Sequence, residues 1–371
     1  MNRMFAIVPL LFFAIIGLAA YYMASRIAFA TGIGKWWLFA GLFILAFFAI
    51  NSMMAAKNYY PVLHPVLHPV VVVLSAMVGV FLYMLLVMLL TDIVNIFAHF
   101  QPKTFGLIVA AGTVLISLFG IVNTSWPRLK TIDIELPKLT EPVQIAQLSD
   151  VHLGHFRGRR NLEKLVNIVN KTDAQMVVIT GDMFESFYNL KPETLEPLKK
   201  LSVHVFFVSG NHDMYVDVDS VKRLMREAGV NVLENSMTEC CGIQIVGLDY
   251  MRPDDRTIDH MHAGVGAKTI ENTLPTIALD STLPSILLHH NPVGAEYAER
   301  AGIRLYLAGH THGGQLFPVT LVNDRIFNFN RGLYQHGNLQ IYTSEGSGTF
   351  GPPMRVGTRS EVTLIRLKPG K

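Results

Sequence analysis

Two histidines one residue apart are the first residues of this chain whose type and spacing suggest chemistry. His310 and His312 lie in the glycine-rich stretch 309–314, directly after the apolar run 305–308. A buried strand followed by such a turn can aim both imidazoles into one hollow, which is how metal sites are built. A His-x-His pair also occurs by chance in loops, so this pair alone does not separate a metal site from an ordinary turn.

Upstream polar groups repeat the same placement, each directly after an apolar run. With the histidine pair they form a set of two carboxylates, one amide and four imidazoles: Asp150, His152, Asp182, Asn211, His290, His310 and His312. The set is large enough for two metal ions, with Asp182 suited to bridge them. Mixed oxygen and nitrogen ligands without thiolate favour Mn²⁺, Fe²⁺/³⁺ or Zn²⁺. Two such ions ~3.5–4 Å apart can generate hydroxide near neutral pH and stabilise a displacement at phosphorus.

The elements that must position these groups begin near residue 125. Short β-like runs alternate there with polar stretches, and two amphipathic segments, 161–169 and 220–228, have helical spacing. The predicted strands are 131–136, 143–148, 176–180, 204–208, 243–248, 286–288, 304–308, 339–342 and 362–367. We therefore predict one α/β domain, with its functional groups in loops after strands.

The first 125 residues predict a membrane domain. Half of the whole chain is apolar, only 16% is charged, and its mean hydropathy is positive, which is too apolar for a wholly soluble protein. Four segments are each close to the ~20 residues that span a bilayer as a helix. They are 4–24, 36–53, 70–90 and 105–122. The predicted domains are thus 1–125, with four transmembrane helices, and 126–371, the catalytic domain.

A proline-rich repeat, residues 61–69, precedes the third predicted span. Because proline inside an ordinary helix removes a hydrogen bond, we predict a stiff connector outside the helix.

Charge and cysteine content exclude some functions. The first 125 residues hold five basic residues and one aspartate, whereas the remainder is nearly neutral. The remainder lacks the basic field that nucleic-acid binding usually requires, so we expect no nucleic-acid partner. The two cysteines, Cys240 and Cys241, are adjacent and provide no disulfide framework.

As an ordered ensemble, the polar set resembles the calcineurin-like metallophosphoesterase superfamily. The blocks of that family are Asp-x-His, Gly-Asp, Gly-Asn-His-Asp/Glu, a lone His and Gly-His-x-His, and the likeness covers roughly residues 140–371. Stretches 287–292 and 344–355 are similar to its bacterial membrane-associated branch, typified by YkuE and YaeI. That branch is similar to UDP-2,3-diacylglucosamine hydrolases and related phosphodiesterases. The resemblance implies an α/β fold, a calcineurin-like αββα sandwich of mixed sheets, here preceded by the four-helix transmembrane domain.

The resemblance also implies roles for individual residues. Asp150, His152 and His312 would hold one divalent ion, Asn211, His290 and His310 the other, and Asp182 would bridge. His212 would not be a ligand but would act over the leaving group as proton donor or charge stabiliser, a role that suits imidazole.

Two assignments stay open at this point. Either member of His289-His290 could be the ligand; spacing to Pro292 on the family pattern favours His290, and strand alternation then turns His289 away. Arg157 and Arg159 either clamp a substrate phosphate or belong to a solvated face.

The sequence therefore predicts a membrane-anchored dinuclear phosphohydrolase that cleaves a phosphodiester or pyrophosphate bond. Its expected partners are the lipid bilayer and a phosphorylated or lipid-linked small molecule, such as a UDP-diacylglucosamine-type substrate. The alternatives are a hydrolase of soluble nucleotides and a catalytically silent, metal-stabilised scaffold. We expect a multi-pass protein of a bacterial inner membrane, and the basic residues flanking the spans slightly favour a cytoplasmic catalytic domain.

Overall fold

The structure, a computed structural model, describes residues 3–58, 64–257 and 268–370. By its internal contacts the chain divides into two compact units. One is helical and consists of Met1–Val122 with Gly351–Met354; the other is an α/β unit consisting of Asn123–Phe350 with Arg355–Lys371.

The helical unit contains four long helices. They are α1 (Arg3–Thr31), α2 (Lys35–Asn58), α3 (His64–Ala98) and α4 (Pro102–Ser125). Each has a stretch long and apolar enough to cross a membrane, namely Leu11–Thr31, Lys35–Ser52, His68–Ala98 and Pro102–Ser125. Large apolar side chains such as Leu18 and Phe97 are exposed on these helices, as expected of helices that contact lipid. A helix satisfies its backbone hydrogen bonds within itself, so it can cross the apolar part of a bilayer. The four predicted helices are confirmed as helices long and apolar enough to span a membrane.

The prediction that residues 61–69 form a connector outside the helix is wrong from His64 onward. Helix α3 already begins at His64 and includes Pro69, whereas residues 61–63 lie outside the described ranges. The first four N–H groups of a helix have no intrahelical acceptor, so a proline in the first turn removes no hydrogen bond. Only Pro69 interrupts the hydrogen-bond ladder.

A polar contact joins two of these helices. Asp92 of α3 forms an ion pair with Arg26 of α1 and accepts a 2.5 Å hydrogen bond from the Tyr22 hydroxyl. The Arg26 guanidinium also lies over the rings of Phe29 and Phe105, 4.9 and 4.7 Å from their centroids. The pairing lets both charges lie within helices long enough to span a membrane.

The α/β unit contains two six-stranded sheets. The strands are β1 (Arg128–Pro137), β2 (Val143–Leu148), β3 (Met176–Thr180), β4 (His204–Val208), β5 (Asn231–Val232), β6 (Ser236–Cys240), β7 (Ile243–Gly247), β8 (Ser285–Leu288), β9 (Leu305–Ala308), β10 (Gly332–His336), β11 (Leu339–Thr343) and β12 (Glu361–Gly370). The helices are α5 (Arg159–Val169), α6 (Pro192–Leu195), α7 (Asn211–Val216), α8 (Val218–Glu227), α9 (Ile270–Thr273), α10 (Ala295–Arg300) and α11 (Val319–Ile326).

Strand order explains how the two sheets can share one site. The first sheet runs β1-β12-β2-β3-β4-β5 and the second β10-β11-β9-β8-β7-β6. Strands β2, β3 and β4 are parallel to one another, as are β7, β8 and β9. Because parallel strands end at the same edge of a sheet, the loops that follow them cluster there.

Apolar side chains hold the layers together. Residues from both sheets, such as Ile145, Phe206, Ile286 and Leu307, form the core between them. Helices α5 and α8 cover the outer face of the first sheet, and α9 and α10 cover that of the second. The predicted αββα sandwich of mixed sheets is confirmed.

Candidate metal centre

The seven predicted ligands all follow strands of the two sheets. They are Asp150 and His152 after β2, Asp182 after β3, Asn211 after β4, His290 after β8, and His310 and His312 after β9. All except His310 are almost completely buried. The structure therefore brings the whole predicted set to one place, at adjoining edges of the sandwich.

Asp150, His152 and His312 form one compact group. Nε2 of His312 lies 3.0 Å from Nε2 of His152 and 3.3 Å from Oδ1 of Asp150. The His152 Nε2 lies 4.0 Å from the same carboxylate oxygen. Three ligand atoms so close together could hold one metal ion.

Asp182 lies between this group and His290. Its Oδ2 atom is 3.1 Å from Nε2 of His290 and 3.7 Å from Nε2 of His152. Its Oδ1 atom accepts a 2.8 Å hydrogen bond from the backbone N–H of His212. One carboxylate oxygen thus faces imidazoles from both sheets, which is the arrangement that a bridging ligand needs.

Asn211 and His310 lie on the far side of His290. Nδ1 of His310 is 3.0 Å from Oδ1 of Asn211, and the rings of His290 and His310 are 5.1 Å apart. The backbone N–H of His310 donates to both carboxylate oxygens of Asp150 at 3.1 Å. A loop of the second sheet is therefore fixed directly to a carboxylate of the first.

The backbone at these positions is unusual. Five of the seven residues have positive φ angles: Asp150 (52°), His152 (51°), Asp182 (53°), His310 (73°) and His312 (50°). Non-glycine residues seldom adopt this region, and such residues concentrate at functional sites. At Gly309 the loop approaches so closely that a Cβ atom would overlap Ser149 Oγ and Asp150 Oδ2. The loops are bent sharply to turn their polar side chains into the cluster.

Two observations fit a metal centre better than a closed hydrogen-bond network. Nε2 of His290 is buried and has no hydrogen-bond partner among the described residues, although buried polar atoms normally have one. Nε2 atoms of His152 and His312 face each other at 3.0 Å, each beside carboxylate oxygen. Nitrogen and oxygen lone pairs that converge without enough protons between them are satisfied by a divalent cation, so the residues present fit such ions.

Glu185 is a site residue that the sequence analysis missed. Its Oε2 atom lies 2.7 Å from Nδ1 of His152 and 2.7 Å from Nδ1 of His212. Burial alone would raise the pKa of the Glu185 carboxyl, but the His212 and His152 imidazoles hold it well below its usual range. A charged carboxylate that binds Nδ1 fixes the orientation of each ring. Its position three residues after Asp182, in the same loop, is the signal that could have found it.

Arg355 is a second residue beside the site that the sequence analysis missed. Its guanidinium is fully buried, donates to the carbonyl oxygens of Gly348 and His312 at 3.1 and 3.3 Å, and lies 3.0 Å from Nδ1 of His312. Burial lowers the pKa of the His312 imidazole to about 4, and the nearby Arg355 charge adds to the effect. The ring is therefore kept neutral, as metal binding requires.

Asp213, the residue after His212, connects two loops of the site. Its carboxylate accepts hydrogen bonds from the backbone N–H groups of Phe184 and Gly210, at 3.0 and 2.9 Å. Burial and the neighbouring Asp182 carboxylate raise its pKa to about 7. The side chain joins the loop after β3 to the loop after β4, which sets the spacing of Asp182 and Asn211.

The two members of the His289-His290 pair point in different directions. Nδ1 of His289 lies 2.8 Å from both the Asn291 carbonyl oxygen and the Tyr306 hydroxyl, and burial lowers the pKa of its imidazole to about 4. His290 is the member that enters the polar cluster.

The two arginines predicted to bind substrate, Arg157 and Arg159, lie in different surroundings. Arg157 is buried, and its Nη1 donates to the Thr349 hydroxyl at 2.5 Å, next to Phe350. Arg159 is exposed at the start of α5 and forms a 2.7 Å ion pair with Glu196. A role in phosphate binding stays a prediction for both.

Aromatic rings border the cluster. The half-exposed Phe350 ring lies 5.1 Å from that of His312 and 6.3 Å from that of His212. Tyr215 lies 5.5 Å from His212, and Tyr250 lies 6.1 Å from His310. Aromatic rings thus lie beside the polar cluster and make its surroundings partly apolar.

Comparison with known proteins agrees with this geometry. The family model for calcineurin-like phosphoesterases matches residues 143–314. A transmembrane protein with metallophosphoesterase domain from Danio rerio is 33% identical over 287 residues, which cover 72% of this chain and 63% of that protein. An uncharacterized metallophosphoesterase from Campylobacter jejuni is 31% identical over 285 residues, covering 72% and 73%. The uncharacterized metallophosphoesterase YkuE from Bacillus subtilis is 28% identical over 249 residues, covering 63% and 82%.

These relatives confirm the resemblance inferred from the sequence, including the likeness to YkuE, and with it a metallophosphoesterase domain in this chain. The chain spans less than two thirds of the length of the Danio rerio relative. Four apolar helices, together with relatives named as transmembrane proteins, indicate a membrane protein. With its αββα sandwich and its cluster of carboxylate, amide and imidazole side chains, this chain belongs to the calcineurin-like phosphoesterase family.

Proposed function

We propose that the protein is a membrane-anchored phosphohydrolase that uses two divalent ions to cleave a phosphodiester or pyrophosphate bond. The observation that carries this proposal is the position of Asp182, whose Oδ2 atom lies between His290 and His152. A carboxylate oxygen shared between two ligand groups suits a pair of ions better than a single one.

The proposed ligand assignment is the one that the resemblance to the family implies. Asp150, His152 and His312 would hold one ion, and Asn211, His290 and His310 would hold the other, with Asp182 bridging. When bound, two ions of Mn, Zn or Fe type supply an activated water molecule and withdraw charge from the phosphoryl group.

His212 would supply the proton. Its Nδ1 lies 2.7 Å from Oε2 of Glu185, and Nε2 would protonate the oxygen of the leaving group. The negative charge of Glu185 stabilises the protonated form of the ring before transfer, and its position fixes the direction in which Nε2 acts. A general acid held in this way needs no further reorientation when substrate binds.

The proposed substrate is a membrane lipid or a lipid-linked nucleotide, such as a UDP-diacylglucosamine-type molecule. The support is the tether: helix α4 ends at Ser125 and strand β1 begins at Arg128. A catalytic unit joined so closely to a membrane-spanning helix stays near the bilayer, where an amphiphilic substrate is concentrated and diffuses in two dimensions. The phosphate would be cleaved at the level of the headgroups.

The proposed location is a bacterial inner membrane, with the catalytic unit on the cytoplasmic side. Support comes from the flanking charges: Arg3, Lys57, Arg128 and Lys130 would lie on the catalytic side, against Arg26, Lys35 and Lys103 on the other. Protease protection of the catalytic unit in sealed, right-side-out membrane vesicles tests this proposal. Cleavage from outside without permeabilisation would reverse the orientation.

A turnover screen tests the proposed reaction. Purified full-length protein, reconstituted in vesicles, is offered soluble nucleotides, phospholipids and nucleotide-linked lipids with Mn²⁺, Zn²⁺, Fe²⁺ or Mg²⁺ in turn. We expect the highest kcat/KM on a lipidic substrate, and activity that disappears with a chelator and returns with metal. Preference for soluble nucleotides would favour the alternative hydrolase, and metal binding without turnover of any substrate would favour a silent scaffold.

A further inference from the structure

We infer that α11 is a bilayer-contacting helix of the catalytic unit, which inserts its outward apolar side chains into the lipid surface next to the metal-ligand loop. The helix follows the His310–His312 loop in the chain, and neither the predicted site nor the family assignment gives it a role. The inference concerns where the α/β unit touches lipid and does not depend on the identity of the substrate.

The polarity of α11 is inverted. In an ordinary surface helix the apolar stripe faces the protein, but here Val319, Val322 and Ile326 are 43%, 53% and 66% exposed. Their spacing of three and four residues places them on one side of the helix. The inward side is polar: Thr320 is buried, and Asn323 donates to the Thr311 carbonyl oxygen at 2.9 Å.

Further exposed apolar residues extend the same surface. Phe317 lies just before the helix and is 47% exposed, and Leu321 is 53% exposed. Single exposed apolar residues are normal, but five within ten residues form a patch of the kind that marks an interaction surface.

The inward side joins α11 firmly to the proposed metal centre. A Cβ atom on Gly314 would lie 2.6 Å from Cα of Thr320, so helix and loop are in close backbone contact. The Phe327 ring, just after the helix, is 5.9 Å from that of His310. Any partner that binds the outward side is therefore held at a fixed distance from the His310–His312 loop.

The chain itself identifies lipid as the partner. The first strand of the unit that carries α11 begins three residues after the end of a membrane-capable helix, so a bilayer would always be nearby. Arg325, in the last turn, forms no ion pair with any described residue. Its neighbour Asp324 forms an ion pair with Arg331 at 3.9 Å. An apolar face with a basic residue beside it suits the headgroup region, where apolar groups of surface helices are buried ~5–10 Å deep.

A depth measurement on the full-length protein tests the inference without reference to activity. In a Cys240→Ser, Cys241→Ser background, Val322→Cys is labelled with a fluorophore and the protein is reconstituted in phosphatidylcholine–phosphatidylglycerol vesicles. The control is Glu227→Cys, an exposed position at the end of α8. We expect the label at 322 to be quenched by a nitroxide carried near the top of the acyl chain and protected from aqueous iodide, with the reverse pattern at 227.

Either of two results would overturn the inference. The label at 322 could behave like that at 227, which would show that the surface faces water. Its protection could instead disappear when the protein is diluted in excess lipid, which would identify a second copy of this chain as the partner.

A pair of substitutions at one position provides a second readout, which, unlike the depth measurement, rests on the proposed function. Val322→Asp places a charge in the lipid surface and should raise KM for a substrate embedded in vesicles by roughly tenfold. Metal content and turnover of a soluble aryl phosphodiester should not change. Val322→Ala removes volume but keeps the position apolar, so it should behave almost as the parent protein. Equal KM values for all three proteins would contradict a role for this surface in lipid contact.

Discussion

The two sheets contribute different chemistry to the same site. Loops of the first sheet bring both carboxylates, the amide and one imidazole, whereas loops of the second sheet bring imidazoles only. Each group in the proposed assignment contains ligands from both sheets, so neither sheet alone could hold an ion. The register between the sheets is therefore as important to the site as any single ligand.

Buried polar contacts maintain that register near the site. Nε2 of Gln147, on β2, donates to the Thr180 hydroxyl of β3 and to the Ala308 carbonyl oxygen of β9, both at 2.9 Å. The N–H of Gly309 donates to the His290 carbonyl oxygen at 2.9 Å. The apolar core sets the distance between the sheets, and these directional bonds set their alignment.

The largest effect should follow from removing one ligand from each sheet in turn. We expect Asp182→Ala, from the first sheet, and His310→Ala, from the second, each to reduce hydrolysis to background. Elemental analysis should find fewer than two ions per chain in both variants. Full metal content together with full activity in either variant would refute the shared assignment.

A smaller effect is expected at the proton donor, which belongs to the first sheet but is not a proposed ligand. His212→Asn should keep both ions and slow turnover by roughly 10²–10⁴-fold, the usual contribution of a positioned general acid. The loss should shrink for esters with good leaving groups, since these need little protonation. A loss that is independent of the leaving group would assign His212 another task.

Glu185 should matter less than the groups it orients. Glu185→Gln keeps the size of the side chain but removes its charge, and we expect a roughly 10–100-fold loss of kcat with retention of at least one ion. The same dependence on leaving group as in His212→Asn should appear, because both variants weaken the same proton transfer. The exposed Glu227→Gln variant serves as the control and should have no effect. A rise in KM without a fall in kcat in Glu185→Gln would show that Glu185 acts in substrate binding instead.

The smallest effect should follow from removing Gln147, one of several contacts that align the sheets, and it should appear in the stability of the protein. Gln147→Ala leaves buried hydrogen-bond partners unsatisfied, so the free energy of unfolding should fall by about 1–3 kcal/mol. Thermal denaturation in detergent would measure the change. Gln335→Ala, at an exposed side chain on β10, is the control. A variant as stable as the parent would show that the apolar core alone aligns the sheets.

The gathering of the seven candidate residues could be predicted because each of them follows a strongly apolar run of one of the central strands. The predicted bounds of β2, β3 and β4 agree with the structure residue for residue. The predictions missed β5, β6 and β10, which form sheet edges. Ser236–Cys240 and Gly332–His336 are half exposed and partly polar, so they lack the apolar run that reveals a central strand.

Glu185 and Arg355 escaped prediction for another reason. Their roles depend on contacts between segments far apart in sequence: Arg355 is 43 residues from His312, and Glu185 is 33 residues from His152. Arg355, a lone basic residue in a loop, has no local pattern that distinguishes it from a solvated charge. Glu185 has one local signal, its position three residues after Asp182, but the predicted ligand pattern does not include that position. The inverted polarity of α11 is hidden similarly, because an apolar face in sequence does not reveal which way it points.

The five left-handed ligand residues have a consequence for any attempt to improve this protein. An L-residue in that conformation costs roughly 1–2 kcal/mol, which glycine would not incur. Selection for thermal stability alone would therefore favour glycine at positions such as His310 and Asp182, where the backbone is already bent. Each such gain would remove a proposed ligand, so robustness and chemistry compete at the same residues, and a stabilised variant should be sought in the strands rather than in these loops.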